Sequence, residues 1–263
     1  MLSDSEFQRL LNLVYNTRFL SLPSYGKVES VNFKNGDLSN IQTQIDLDIE
    51  AFLKNNLAEI FPQISFVGEE LGGDRSEDTF FLVDPIDGTA NYVRGTVGCT
   101  TMISLIHEGQ VVLSAIYDFV RNKMYWAQRG SGAYCNGNKL QVSQRTWEHS
   151  SLMFETKNES FAQFFMKELR ERYAFKYSCA GYEYALVASG KVEGRISVEP
   201  YGAIWDYSPG SLLVEEAGGL VFNLHSDQYD YKNLDHIVCN KKIYLNIVES
   251  IDTFYNKKLI LSE

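Results

Sequence analysis

The sequence predicts a layered fold of the α+β or α/β class, in which helices pack on sheets. Three observations lead to this prediction. Apolar residues recur at helical spacing near the N-terminus, short apolar runs separated by turn residues fill the middle of the chain, and both patterns alternate in the second half. The chain has 263 residues, of which 44% are hydrophobic, so it is long enough to enclose a substantial core.

Two amphipathic helices are predicted in the N-terminal part. The first spans Asp4 to about Phe19, with Ser3 or Asp4 as its cap, and the second spans Asp46 to Ile60. The polar stretch from Ser24 to Asn40 lies between them and is predicted to form a mobile hairpin or lid.

The middle of the chain is predicted to consist mainly of strands. Apolar runs at 64–67 and 80–83 each predict a buried strand. The pattern from Thr100 to Leu140 predicts an antiparallel meander, in which Asn136-Gly137 is typical of a tight hairpin turn.

The second half is predicted to alternate helices with strands. The elements are a helix at 160–172, a strand at 175–178, a helix at 182–189, a strand at 195–198, a helix at 206–217, strands at 220–223 and 236–239, and a helix at 243–254. Because no linker or repeat is visible, we expect a single domain over 1–263. It could be divided into halves, 1–145 and 146–263, that meet where the meander ends.

Composition limits the partners of this chain. A net charge of −10 without a basic stripe argues against nucleic acid. No apolar run approaches the ~20 residues of a membrane helix, and the acidic N-terminus is not typical of a signal peptide. The four widely spaced cysteines are interpreted as reduced thiols. We therefore expect a cytoplasmic protein that acts on neither nucleic acid nor membrane.

The stretch Asp84-Pro85-Ile86-Asp87-Gly88-Thr89 carries the strongest functional signal. It places two carboxylates and the Ile86 carbonyl at the exit of a buried strand, and it adds unhindered N–H groups and a hydroxyl. Hard oxygen ligands beside N–H donors suit a magnesium ion that holds a phosphate. Taken alone, the stretch fits an ordinary strand-ending turn equally well, because Asp-Gly is common in turns.

Two further segments favour the metal site. Gly68-Glu69-Glu70 follows the run at 64–67, and Trp205-Asp206 precedes a helical pattern that ends in Glu216-Ala217-Gly218-Gly219. With the hexapeptide, and in this order, they resemble the pattern of the inositol monophosphatase family, the magnesium-dependent, lithium-sensitive phosphatases of small phosphorylated alcohols. The resemblance extends from about Asp4 to Glu249, nearly the whole chain.

The resemblance implies an alternating α-β-α-β-α sandwich of the sugar-phosphatase type, with two to three Mg²⁺ ions for which Mn²⁺ could substitute. It implies that Asp84 and Asp87 share ions, that Glu69 and the Ile86 carbonyl complete one of them, and that Asp206 binds a second. Without cations, four converging carboxylates would repel one another. In isolation, Glu69 could be a solvated loop acid and Asp206 a helix N-cap.

The resemblance also assigns a water-orienting pair, Thr89 and Asp46, and counts Glu69 with the catalytic residues. A metal lowers the pKa of the attacking water, and the hydroxyl–carboxylate pair orients it. The alternative for Asp46 is the N-cap of the helix that follows, and both roles can hold at once. Gly88 and Thr89 are predicted to offer backbone N–H groups to the phosphate, because Gly88 lacks a Cβ and permits close approach.

Four acids are predicted to contact the substrate, namely Asp87, Glu183, Glu199 and Asp206. Glu199 lies seven residues before Asp206, the position from which the family contacts a substrate hydroxyl. Glu183 lies where relatives carry small residues, so it would make the pocket more negative and favour an ammonium group. The alternative is that Glu183 only complements the first turn of its helix.

The leading hypothesis is a Mg²⁺-dependent phosphoric monoester hydrolase that uses a metal-activated water on inositol monophosphate or a related polyol or sugar phosphate. Alternatives with the same chemistry act on histidinol phosphate, fructose 1,6-bisphosphate or a nucleotide 3′-phosphate. A hypothesis of another class is a non-catalytic protein that binds metal or phosphate. The resemblance also implies a homodimer.

Overall fold

The computed structural model of the protein describes residues 2–34, 41–172, 177, 179–226 and 228–260. The helices within these residues are α1 (Asp4–Asn16), α2 (Arg18–Ser24), α3 (Gln44–Ile60), α4 (Thr89–Arg94), α5 (Glu159–Leu169), α6 (Ala180–Ala188), α7 (Ile204–Glu216) and α8 (Tyr244–Ile260). Short 3₁₀ turns occur at Trp147–His149 and Arg170–Arg172. None of the described helices is long and apolar enough to cross a membrane.

The strands form two larger sheets and one short hairpin. They are β1 (Asn32–Phe33), β2 (Ile41–Gln42), β3 (Ser65–Gly68), β4 (Thr79–Asp87), β5 (Thr100–His107), β6 (Gln110–Asp118), β7 (Lys123–Gln128), β8 (Gly132–Cys135), β9 (Asn138–Lys139), β10 (Leu152–Glu155), β11 (Gly194–Ser197), β12 (Leu220–Asn223) and β13 (His236–Cys239). Strands β3 to β9 form a seven-stranded sheet in chain order, and the four-stranded sheet has the order β10-β11-β13-β12. Within these sheets β3–β4 and β10–β11 are parallel pairs, and the other pairs are antiparallel.

Alternate residues of β4 show how the layers stack. Phe81 and Val83 belong to a core shared with α1 and α3, whereas Phe80 and Leu82 belong to a core shared with α6 and α7. The four-stranded sheet covers the other side of α6 and α7 and packs its outer face on α5 and α8. Because side chains alternate across a strand, each sheet has helices on both faces. The predicted α-β-α-β-α sandwich is confirmed.

Most predicted elements are present, with shifted ends. The predicted helix from Asp4 to Phe19 is instead two helices, because the chain breaks at Thr17, whose buried hydroxyl donates to the Val14 carbonyl at 2.7 Å. Ser3 is the cap of the first helix, as predicted. The meander is confirmed as β5 to β9.

Two predicted segments are only partly described. The hairpin prediction for 24–40 agrees with the antiparallel pairing of β1 with β2, although residues 35–40 lie outside the described part of the chain. The strand predicted at 175–178 also lies outside it, apart from Tyr177, which is not in a strand.

Candidate active site

An irregularity in β4 brings two acids of the hexapeptide to the same face of the sheet. The strand pairs regularly with β5 as far as Asp84 opposite Met102, and pairing resumes at Asp87 opposite Thr100. Three steps on β4 therefore match two on β5, so β4 carries one extra residue, which defines a β-bulge. Residues three apart would normally face opposite sides, and the bulge turns Asp87 to the side of Asp84. Both then face α6 and α7.

Asp84, Asp87 and Asp206 form a compact acidic cluster. One carboxylate oxygen from each lies within 4.8 Å of the others. The cluster joins β4 to the first turn of α7, which carries Asp206. Three carboxylates this close, of which Asp84 and Asp87 are buried, repel one another unless a cation or protons compensate. The geometry therefore suits a metal ion.

Asp84 is the least compensated member of this cluster. It is 1% exposed, and neither of its oxygens has a hydrogen-bond partner within the described residues. Burial raises the pKa of Asp84 well above its usual range, and the charges of Glu69, Asp206 and Asp87 raise it further. A buried carboxylate without donors is costly, whereas two free oxygens are what a hard cation requires.

Asp87 is held by the N-terminus of α6. One of its oxygens accepts from the Ala180 N–H at 3.0 Å, and the other accepts from the Gly181 N–H at 2.6 Å and from the Cys179 thiol at 3.0 Å. Burial raises the pKa of Asp87 to about 6, and these donors limit the rise. Asp87 is thus aimed by the end of a helix, where N–H groups favour negative charge.

Asp206 lies in the first turn of α7 and accepts the Ala203 N–H at 2.6 Å. Ala203 is the N-cap, so the alternative that Asp206 is the N-cap is wrong. Burial and the charge of Glu69 raise the pKa of Asp206 well above its usual range. One hydrogen bond fixes the carboxylate, which still reaches the acidic cluster.

Glu69 follows β3 and lines the same cavity as the acidic cluster. Its carboxylate pairs with Lys34 at 2.6 Å, and the same ammonium pairs with Glu70 at 2.7 Å. Burial raises the pKa of Glu69, and the Lys34 charge opposes the rise. Glu69 is therefore not the solvated loop acid of the alternative interpretation.

The loop that carries Glu69 is held from behind by Glu50. This fully buried α3 side chain accepts the Glu70 N–H at 2.8 Å and the Leu71 N–H at 2.6 Å. A Cβ on Gly68 would lie 2.0 Å from the Glu50 carboxylate, so a larger residue at this position would have to displace Glu50. Sequence reasoning missed Glu50. Its spacing of four residues from Asp46 was the available signal, because residues i and i+4 share a helix face.

Asp46 and Thr89 are in contact, as predicted. The Thr89 hydroxyl lies 3.1 Å from one oxygen of Asp46 and 2.9 Å from the Ile86 carbonyl. The other Asp46 oxygen accepts the Thr43 N–H at 2.7 Å and the Thr43 hydroxyl at 2.6 Å. Thr43 is the N-cap of α3, so Asp46 is the third residue of a capping box and not the N-cap. Burial raises the pKa of Asp46 to about 6.

Gly88 turns the chain from β4 into α4. Its φ is +82°, and a Cβ there would meet the Gly98 carbonyl at 2.5 Å. A left-handed backbone without room for a side chain requires glycine. Gly88, Thr89 and Ile86 all line the cavity that contains the acidic cluster.

The cavity has a volume of about 630 Å³ and extends beyond the acids. Its remaining walls include Glu155, Glu183, Arg195 and Tyr201. Glu183 is buried, and its two oxygens accept the Tyr177 N–H at 2.9 Å and the Arg195 Nε–H at 2.9 Å. It therefore does more than complement its helix.

Glu199 is not brought to the cavity. The chain takes a left-handed conformation at this residue, with φ of +47°, just after β11 ends. Its exposed carboxylate accepts from Asn158 at 2.8 Å, at the N-terminus of α5, and its N–H donates to Asp235. Glu199 is therefore not among the described residues that line the cavity, and its contact with substrate stays a prediction. Spacing from Asp206 alone did not reveal this turn.

Arg195 and Glu155 were also missed. They contact each other across 40 residues of sequence, so no local pattern pairs them. The available signal was an arginine inside the short apolar strand β11, because a buried arginine needs acidic partners.

Comparison with known proteins agrees with this geometry. The model of the inositol monophosphatase family matches residues 20–254. An inositol-1-monophosphatase of Bacillus subtilis is 30% identical over 222 residues, which cover 80% of this chain and 83% of the relative. A fructose-1,6-bisphosphatase/inositol-1-monophosphatase of Thermotoga maritima is 26% identical over 246 residues, covering 92% and 94%.

Solved structures show the same fold. A Thermotoga maritima IMPase superposes with a TM-score of 0.87 over 96% of this chain and 99% of its own, at 23% identity. The extragenic suppressor protein suhB of Bartonella henselae superposes with a TM-score of 0.84 over 94% and 98%, at 24% identity. The family model matches far more than half of the sequence, and the matched range includes all three acids of the acidic cluster. The chain belongs to the inositol monophosphatase family of phosphatases.

Proposed function

We propose that this protein is a Mg²⁺-dependent phosphatase of a small phosphomonoester, with inositol monophosphate or a related polyol or sugar phosphate as its substrate. The observation that carries the proposal is Asp84, a buried carboxylate whose two oxygens have no hydrogen-bond partner in the described part of the chain and which lies beside two further acids. Such a group fits a hard cation and has no evident structural use.

The residues present fit two to three Mg²⁺ ions, with Mn²⁺ as a substitute. Asp84, Asp87, Glu69, the Ile86 carbonyl and Asp206 would hold them, since all five line one cavity and offer oxygen atoms. When bound, the ions would supply positive charge to the phosphate and lower the pKa of an attacking water. The identity of the ion is part of the proposal, and the oxygen-only ligand set supports it.

The chain's own residues then orient the reaction. The Thr89 hydroxyl has one proton, which it can donate to Asp46, and this leaves its lone pairs to accept a hydrogen bond from the water. The Asp46 carboxylate is fixed by Thr43, so the pair is preorganised. The backbone N–H groups of Gly88 and Thr89 are proposed phosphate donors, and Glu69 is proposed to assist at the catalytic water.

The names of the two relatives support the choice of substrate. One is an inositol-1-monophosphatase, and the other combines that name with fructose-1,6-bisphosphatase. Inositol monophosphate is therefore the leading candidate, and fructose 1,6-bisphosphate is the first alternative. Histidinol phosphate and nucleotide 3′-phosphates complete the panel that a test should include.

The test is phosphate release from this panel by the purified protein across a Mg²⁺ titration. We expect turnover that requires Mg²⁺, is partly restored by Mn²⁺ and is inhibited by lithium at millimolar levels. The matched control is Asp84→Asn, which should lose turnover while retaining the fold. Absence of Mg²⁺-dependent turnover on every ester would overturn the proposal in favour of a non-catalytic metal- or phosphate-binding protein.

We also propose a homodimer in a reducing compartment such as the cytoplasm. The compartment is supported by four cysteines without a disulfide, of which three are buried. The dimer is carried over from the family, and light scattering on the purified protein tests it directly.

A further inference from the structure

A second group of charges lines the cavity next to the acidic cluster. It consists of Glu155 on β10, Glu183 on α6 and Arg195 on β11, and we call it the Arg195 cluster. All three side chains are buried. Three elements that are remote in sequence therefore contribute to one wall of the site.

Chain connectivity places the Arg195 cluster beside the acidic cluster. Glu183 lies one turn into α6, whose first N–H groups bind Asp87. Tyr207 directly follows Asp206 in α7 and donates its hydroxyl to Glu155 at 3.2 Å. A phosphate ester held at the acidic cluster would thus extend its alcohol toward the Arg195 cluster. This argument rests on the proposed function.

Arg195 is held by three directed hydrogen bonds. Its Nε–H donates to Glu183 at 2.9 Å, its Nη2 donates to Glu155, and its Nη1 donates to Ser197. Its guanidinium carbon lies 5.0 Å from the centre of the Tyr184 ring, with a second tyrosine ring at 5.2 Å. These contacts fix the orientation of the planar group, and a lysine could not reproduce its fork of donors.

The carboxylates of the Arg195 cluster already have donors. Glu183 accepts Tyr177 N–H and Arg195, while Glu155 accepts Tyr201 N–H, Arg195 and the Tyr207 hydroxyl. Their formal charges with Arg195 sum to −1 instead of −2. A neutral hydroxyl can still use the second lone pairs of the Glu183 oxygens, each of which accepts one hydrogen bond from the Tyr177 N–H or from Arg195, whereas an ammonium would approach a fixed guanidinium. The exposed Lys157 at the cavity wall adds a further positive charge.

We propose that Arg195 is a specificity-determining residue that sets the charge preference of this cavity for the alcohol part of its substrate. By neutralising one of two buried carboxylates, it makes the wall select hydroxyl groups over ammonium groups. This replaces the expectation that Glu183 alone would attract an amine. Loss of Arg195 would make the same wall more negative by one charge and would shift its preference toward the amine.

The test compares esters that differ in one group. kcat/KM is measured for 2-hydroxyethyl against 2-aminoethyl phosphate, and for 3-hydroxypropyl against 3-aminopropyl phosphate. The two pairs place the terminal group at two different distances from the phosphate. Variants form a charge series in the Arg195 cluster: 0 in Glu183→Gln, −1 in the wild type and in the double variant Arg195→Met/Glu183→Gln, and −2 in Arg195→Met. Lys157 is unchanged in every variant, so its charge does not affect the comparison between them.

We expect the amine-to-hydroxyl ratio of kcat/KM to rise with negative charge, by about tenfold for each step of the series. The double variant should match the wild type. An unchanged ratio in Arg195→Met, or a higher one in Glu183→Gln, would overturn the proposal. If Arg195→Met does not fold, the double variant Arg195→Met/Glu183→Gln is compared with Glu183→Gln, because these two differ only at Arg195, and an equal ratio in both would overturn the proposal.

Failure of the proposed function would be seen separately. 4-Nitrophenyl phosphate carries neither a hydroxyl nor an amine on its alcohol part, so its Mg²⁺-dependent turnover reports the chemistry alone. If this ester is turned over but the amine-to-hydroxyl ratio of kcat/KM does not change along the charge series, the role of Arg195 is refuted. No turnover of any ester refutes the phosphatase proposal instead.

Discussion

The contact between Asp46 and Thr89 predicts that the two residues act as a unit. The Thr89 hydroxyl lies 3.1 Å from Asp46 and 2.9 Å from the Ile86 carbonyl, but it has a single proton to donate. Of these two acceptors, Asp46 is the charged one, and Thr43 holds it in place. When the Thr89 hydroxyl donates to Asp46, the lone pairs of the Thr89 oxygen are oriented to accept a hydrogen bond from the water. We therefore expect Thr89→Ala and Asp46→Asn to remove the same water-orienting function.

The magnitude follows from the type of bond. A hydrogen bond to a charged group contributes about 1.5–3 kcal/mol, which corresponds to roughly tenfold to a hundredfold in kcat. Each single variant should lower kcat by about this factor with little change in KM, because orientation of the water is a transition-state effect. The double variant should be little worse than either single variant. Independent effects would multiply instead, to roughly a hundredfold to ten-thousandfold.

Two controls separate catalysis from helix capping. Thr89→Ser keeps the hydroxyl and should retain most of kcat. Thr43→Ala removes the N-cap of α3 and should cost about 1 kcal/mol of stability, with a much smaller loss of kcat than Asp46→Asn. The assay is steady-state phosphate release at saturating Mg²⁺, with thermal unfolding of every variant. Multiplicative losses in the double variant would show that Thr89 and Asp46 act independently, and an Asp46→Asn variant that loses stability but keeps kcat would show that Asp46 only supports the cap of its helix.

Three further predictions concern the metal site and the core. Asp84→Asn should raise the Tm of the metal-free protein by a few degrees, because it removes a buried like charge, and should abolish the further stabilisation by Mg²⁺ in the same thermal scan. The Glu50 carboxylate accepts two N–H groups of the loop that carries Glu69, and the amide of Glu50→Gln can accept only one of them. This variant should therefore weaken Mg²⁺ binding in a thermal-shift titration. Because one bond remains, kcat at saturating Mg²⁺ should be largely kept. His236 is buried with its pKa lowered from 6.5 to about 4, so between these pH values the unfolded chain binds more protons and acid destabilises the protein. His236→Gln should reduce the slope of the unfolding free energy against pH in this window by up to about 1.4 kcal/mol per pH unit, and an unchanged slope would contradict the assignment.

Sequence patterns predicted the order of the layers well, because periodic apolar residues decide which face of an element is buried. They did not locate the break at Thr17, since a single buried hydroxyl that bonds Val14 decides it. The motifs identified Asp84, Asp87 and Asp206, and the structure brings these three together. What the motifs could not supply was the bulge in β4, because strand register depends on the partner strand.

The substrate side of the site was much less predictable. Glu199 was chosen by its spacing from Asp206, and a left-handed turn directs it to α5 instead. Arg195 was not considered, although it joins Glu155 and Glu183 across 40 and 12 residues. Contacts of this kind depend on how the layers stack, and the periodicity of nearby residues in the sequence does not predict them.

The structure also ranks the acids of the metal site, which the motifs treat alike. Asp87 is compensated by two N–H groups, a thiol and the Thr100 hydroxyl, Asp206 by one N–H and Glu69 by Lys34, whereas Asp84 has no donor among the described residues. A cation should therefore stabilise the fold chiefly through Asp84. Asparagine at Asp87 would turn an amide toward N–H donors and disturb α6, so loss of activity there would not isolate the metal. Asp84 is the position at which loss of metal and loss of fold can be told apart.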